Sequence, residues 1–313
     1  MFKYLGRKLL AGVVLTLVVT ALVFCAIFAN GTEIARQVLG ADATPEQVAD
    51  RVAALGLDQP VVLQYLEWLG DALTGDLGTS YYTGEPVLDL LLTRIPVTLA
   101  LVLIAMLLTA GLSVLMGVAA AVRGGWVDRF LQVAGVLGTA VPGFIVAIAL
   151  VFLFAIWLGV FPATGYVSPD QSVGGWASSL VLPVTAVLVG AVAQSAQQFR
   201  GAMIDVMGQD FVRTLRARGI PERMVVFRHA LRSAGSPGLT ILSLQVIQLM
   251  GGVVVIERIF ALPGMGLLSQ TSALQRDIPT VMGVVLFFVL VVVVVNTAVD
   301  VVNGWINPRA RVS

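Results

Sequence analysis

The chain has 313 residues, 58% of them hydrophobic and only 12% charged, with a formal net charge of +1 and a mean hydropathy of +0.94. A water-soluble domain carries roughly 25% charged residues, so an aqueous globular fold is excluded, and the near-zero charge leaves no basic field to hold nucleic acid. One cysteine, Cys25, and one histidine, His229, exclude an internal disulfide, thiolate clusters, zinc motifs built on paired histidines and Cys–His nucleophile pairs.

Six apolar stretches reach the ~20 residues that a helix needs to cross a bilayer. They cover approximately 9–29, 96–122, 130–160, 179–199, 237–257 and 279–304. The first follows Lys3, Arg7 and Lys8 like a secretory leader. Its apolar run exceeds the ~7–15 residues usual in such leaders, and bulky Phe24 precedes Cys25, so residues 1–29 are expected to be an uncleaved span.

Residues 30–95 are expected to form a small helical domain on one side of the membrane, with ten acids against three arginines. Thr44-Pro45-Glu46-Gln47 has the form of a capping box with proline at the first helical position, and Gly56 suits the end of that helix. A second helix is expected from Pro60, carrying Leu63, Tyr65, Leu66, Trp68 and Leu69. Gly75, Gly78 and Gly84 mark turns, and residues 86–94 read as an amphipathic elbow into the second span.

Basic residues set the orientation, since Lys and Arg collect on the cytoplasmic side. With the N-terminus inside, 14 of the 19 lie in cytoplasmic segments and only Arg36, Arg51, Arg94, Arg258 and Arg276 outside. The reverse arrangement would export the arginines of 200–232. Both termini are therefore expected in the cytoplasm.

That arginine-rich stretch, within residues 205–234, reads as two short helices separated by Gly219-Ile220-Pro221, because glycine ends helices and proline can open them. A plain alternative is a basic loop that fixes orientation or touches anionic lipid. The spacing from Gly219 to Leu231 resembles the EAA loop of bacterial ABC importer permeases. The wider pattern Val212-Arg213-Thr214, Arg216-Ala217-Arg218-Gly219 and Phe227-Arg228-His229-Ala230-Leu231-Arg232 is similar to the dipeptide/oligopeptide/nickel branch, in the first permease of the pair. Leu55-Gly-Leu-Asp-Gln-Pro60, Gly75-Asp-Leu-Gly-Thr-Ser80-Tyr81, Phe260-Ala-Leu-Pro263-Gly-Met-Gly266 with Arg276-Asp277, and Asn307-Pro308-Arg309 extend the resemblance over almost the whole chain. Arg213-Thr214-Leu215 stands where the general motif has Glu-Ala-Ala, and Arg232 where it has proline; both departures agree with the peptide branch.

The resemblance implies an all-α membrane protein of six transmembrane helices, with cytoplasmic coupling helices and a small helical extracytoplasmic domain. It implies a five-helix permease core over 96–304 and a cytoplasmic tail over 305–313. Arg213, Thr214, Arg216, Ala217, Arg218, Gly219, Ile220, Arg223, Phe227, His229 and Leu231 would dock a partner ATPase. The other implied partners are a second homologous permease, a second ATPase subunit or domain, an extracytoplasmic substrate-binding protein and the lipid bilayer. ATP and magnesium would sit on the ATPases, with no cofactor, metal or catalytic residue on this chain. The residues agree in part: a phosphate-binding P-loop needs Lys beside Ser or Thr after glycines, and neither Lys3 nor Lys8 sits in one.

Polar residues within spans are costly unless they face protein or water. Gln194 and Gln198, four apart, share a helix face, as do Gln245 and Gln248, three apart. These glutamines would either line a polar path or bond helix to helix. Asp300 with Asn296 would serve an ion-coupled carrier as a proton relay. In the outer segment 258–278, Arg258, Pro263, Gly264, Gly266 and Asp277 form either a scoop over the path, by resemblance, or an ordinary loop. Peptides are the expected cargo by resemblance, with nickel chelates, haem or another small solute as alternatives.

Overall fold

The computed structural model describes residues 2–28, 31–40 and 42–306; the Asn307-Pro308-Arg309 segment and Arg311 lie outside the described residues. Among the described residues the chain is helical, with one isolated bridge between Thr79 and Pro86. The elements are α1 (Phe2–Ile27), α2 (Gly31–Leu39), α3 (Pro45–Ala54), α4 (Val61–Thr74), α5 (Val87–Arg123), α6 (Gly125–Ala140) and α7 (Gly143–Leu150). A π-helical segment, Val151–Trp157, extends α7. Then follow α8 (Val173–Met207), α9 (Asp210–Ala217), α10 (Glu222–Met224), a π-helical segment Val225–Ala230, α11 (Leu231–Ile259), α12 (Met265–Gln275) and α13 (Ile278–Ile306).

Five helices are long and apolar enough to cross a membrane, and α6 with α7 make a sixth if the bent pair is one span. The third span departs from the straight run expected over 130–160. It starts at Gly125 and turns through 93° between Ala140 and Gly143, where Pro142 has no N–H to continue the helix. From Val87 the stretch read as an elbow, 86–94, is helical and forms the first turns of the 37-residue α5, and Pro96 lies within that helix without ending it.

The chain divides into two compact units. In the first, residues 1–98 and 263–293, Phe24, Ile34, Leu57, Ile278 and Met282 pack together, and Leu77, Val87, Leu91, Met265, Leu268 and Val284 form a second core. The capping box is present: the Gln47 amide N–H donates to Thr44 Oγ1 at 3.3 Å, and the Thr44 N–H donates to Gln47 Oε1 at 2.9 Å. Tyr65 of α4 reaches α1, where its hydroxyl shares a hydrogen bond with Thr20 Oγ1 at 2.9 Å.

In the second unit, residues 99–262 and 294–313, α8 is the central helix, packed against α6, α7 and α11. Val118, Phe199, Met203, Val206, Val226, Ala230 and Ala234 form its core at the α9 end. Close approach is needed at Gly117, where a Cβ would stand 3.0 Å from the Ala196 carbonyl oxygen. Outward faces of the long helices remain apolar, as in Leu103, Leu107 and Leu115 of α5, which is the surface that lipid covers.

Candidate coupling and translocation site

The stretch from Asp210 to Ala230 forms a helical knob. Helix α9 buries Val212 and leaves Arg213, Thr214, Arg216, Ala217 and Arg218 exposed. It stops in a Schellman closure: the Ile220 N–H donates to the Leu215 carbonyl at 3.2 Å and the Gly219 N–H to the Arg216 carbonyl at 2.9 Å. That closure needs a left-handed residue, supplied by Gly219 at φ +75°. Arg216 then reaches across the break to clamp Glu222 with two bonds, 3.0 Å and 2.5 Å long. The Arg216 guanidinium holds the Glu222 carboxyl below the usual carboxylate range.

Beyond Pro221 the chain does not form a second free helix, as the Gly-Ile-Pro break suggested. Helix α10 runs through the π-helical segment directly into α11, so this second part of the knob is a prolongation of the fifth span. The expected coupling residues therefore divide. Those of α9 and Gly219 are exposed, Ile220 and His229 are partly buried, and Leu231 packs on the core that holds Val226 and Ala230. Arg223 and Phe227 line a cavity with the end of α5.

The four path glutamines are also divided. Gln245 and Gln248 line a cavity of about 270 Å³ with Gly143, Gly190 and Gly252. Gln245 is buried, and its Oε1 lies 3.5 Å from Ser195 Oγ. Gln194 is partly buried and Gln198 exposed, and neither lines this cavity. The neighbouring Gln197, passed over in the sequence, donates to the Gln132 carbonyl at 3.2 Å and would collide with a Cβ at Gly135. This side of α8 thus joins helix to helix.

Asp277 is a buried anchor within the first unit, 3% exposed. Its carboxylate accepts from Ser80 Oγ at 2.6 Å, the Tyr81 N–H at 3.1 Å and Thr280 Oγ1 at 2.8 Å. Burial first, then the Asp277 charge, pushes the Tyr81 hydroxyl up to about 12. Pro263 and Arg258 are exposed, whereas Gly264 and Gly266 are buried at the start of α12.

Two charged features escaped the sequence reading. Arg200 of α8 pairs with Asp128 of α6 through two nitrogens, so it belongs to the helix packing and not to the knob. Glu257, in the last turn of α11, is fully buried. An acid closing an apolar run was the available signal. Among the described residues no three His, Cys, Asp or Glu side chains gather to hold a metal.

Residues 113–312 match the family of the binding-protein-dependent transport system inner membrane component, and residues 1–102 match the N-terminal region of such membrane components. This chain belongs to that family of ABC importer permeases. A Brucella abortus protein bearing the name of a peptide transport system permease is 40% identical over 275 residues, 88% of each chain. The oligopeptide transport system permease protein AppB of Bacillus subtilis is 35% identical, covering 83% of this chain and 85% of its own. The glutathione transport system permease protein GsiC of Salmonella typhimurium is 33% identical over 99% of both. A solved structure of the MetNI methionine ABC transporter, inward facing, superposes with a TM-score of 0.57 at 16% identity. It covers 71% of this chain and 99% of that one, a likeness of fold. The permease is thus a non-catalytic, multi-pass membrane subunit of a multi-subunit importer.

Proposed function

We propose that this permease carries peptides across the bacterial cell membrane by alternating access, driven by ATP hydrolysed with magnesium on two partner ATPase subunits or domains. The observation that carries the reading is the knob: an exposed arginine-faced helix, α9, stopped at Gly219 and clamped by Arg216 to Glu222 of α10, which runs on into the fifth span. A displacement imposed on α9 would reach α11 through the Arg216–Glu222 clamp and the helical run from Glu222 onward.

In this reading Arg213, Thr214, Arg216, Ala217, Arg218 and Gly219 meet the ATPase, and both termini face the cytoplasm. A second homologous permease completes the pathway, and an extracytoplasmic binding protein delivers cargo near the segment that carries Arg258, Pro263, Gly264, Gly266 and Asp277. Gln245 and Gln248 supply amide donors and acceptors suited to peptide backbone. The names of the Brucella, Bacillus and Salmonella relatives support a peptide cargo.

Co-purification from mild detergent tests the coupling. Tagged wild-type chain should bring down a second permease and ATPase subunits, with ATP hydrolysis in the eluate. Joint replacement of Arg216, Ala217 and Gly219 should release the ATPases and keep the second permease. Retention of the ATPases by that variant would refute the knob as their docking element.

A further inference from the structure

A cavity of about 450 Å³ opens where α5 ends beside α10 and the π-helical segment. Its walls are apolar, with Val118 and Val226 at the back. Leu115 and Phe227 stand at its mouth, 66% and 57% exposed. Arg123 and Arg223 also line it, with Glu222. The Glu222 carboxylate is already engaged by Nε and Nη2 of Arg216. Among the described residues, Arg123 and Arg223 have no ion-pair partner. The cavity therefore joins an apolar chamber to two uncompensated guanidinium groups.

Its depth in the membrane is marked independently. Arg123 is the last residue of α5. Trp126, 77% exposed, follows and stacks on Phe130 with ring centroids 5.7 Å apart. An exposed tryptophan beside arginine at the end of an apolar helix is the pattern of the headgroup level. A ligand reaching this cavity from the bilayer would lay acyl carbon on the valine walls and phosphate between the arginines.

We infer that this cavity binds an anionic phospholipid, with Arg123 and Arg223 holding the phosphate and Val118, Val226 and Phe227 holding an acyl chain. Basic pockets at the membrane surface recognise anionic headgroups in this way. Assignment to the cytoplasmic leaflet rests on the orientation proposed above; binding itself does not. The site adjoins the knob through Glu222 and Arg223, so occupancy would brace the junction between α10 and α11.

The test uses the co-purified complex and native mass spectrometry, with phosphatidylglycerol and phosphatidylcholine of identical chains as probes. Wild type should retain phosphatidylglycerol preferentially. R123Q should lose about fivefold of that preference, and R123Q with R223Q a further factor of about five, as expected for one surface arginine each. R123K, which keeps the charge, should retain most of it, and this separates charge loss from misfolding. Ala119 also lines the cavity, and A119F, which fills the chamber without altering charge, should bind one lipid fewer of either kind. Glycerol 3-phosphate alone should not compete. The inference is overturned if R123Q and the double variant keep the wild-type preference, or if glycerol phosphate displaces the lipid. It is equally overturned if a preference shown by the isolated chain disappears in the complex, since the second permease would then cover the cavity. None of these readouts involves ATP hydrolysis, so failure here leaves the transport reading standing.

Discussion

Asp277 gathers three donors around one buried carboxylate, two hydroxyls and a main-chain N–H, and so fixes the 79–86 turn against the start of α13. A buried donor stripped of its acceptor loses the full desolvation cost. Asp277→Ala should therefore destabilise the permease by about 3–5 kcal/mol. Asp277→Asn, which keeps one acceptor oxygen, should cost about 1–2 kcal/mol. Thermal unfolding in detergent checks the order. Equal midpoints for the two variants would mean that the carboxylate does not hold the turn. Nothing local announced this role, because Ser80 lies 197 residues away in sequence; only the residue type and its place before an apolar run were legible.

At the level of elements, the knob depends on the left-handed stop at Gly219. A Cβ there meets no atom within 4 Å, so backbone conformation alone selects glycine. An L-residue in that region costs about 1–2 kcal/mol, less for asparagine, which tolerates it. Gly219→Val should weaken ATPase capture severalfold in the pull-down, and Gly219→Asn should restore most of it. If asparagine fails as valine does, contact with the ATPase and not helix closure is what glycine provides. The Gly219 stop and the Thr44 capping box were readable because both are set by neighbours within a few residues. The continuation of α10 into α11 was not, since Pro221 reads equally well as the start of a short helix or of a long one. The Val141-Pro142 bend was lost for a related reason. A window long enough to detect a span averages over two residues that break it.

For the whole molecule, the distribution of arginines is the strongest statement about placement in the bilayer. Cys25 is the sole cysteine, so a C25S background gives a clean chain for labelling. A D58C variant in that background should react with a membrane-impermeant thiol reagent in intact cells, after removal of the outer envelope if one is present. R213C should react only once the membrane is opened. Reversal of that pattern would invert the topology and remove the knob from the ATPase side. Architecture was the most legible level of all: apolar runs long enough for a bilayer are coarse features that survive without contacts. Which polar residues share one cavity was far less so. Gln245 and Gln248 were separable from Gln194 and Gln198 only through the rotation of α8 against its neighbours.

The right-angle bend between α6 and α7 also decides where water can stand. Pro142 offers no hydrogen to the carbonyl four residues back, that of Gly138, so main-chain groups at this helix end need partners other than the helix itself. Hydrocarbon cannot satisfy them. The elbow must accordingly be turned to protein or to a hydrated seam, and Gly143 and Phe144, just past it, already line the glutamine cavity. On the transport reading proposed above, a peptide there would meet main chain at Gly143 as well as the Gln245 and Gln248 amides. Backbone groups take no account of the side chains a peptide carries.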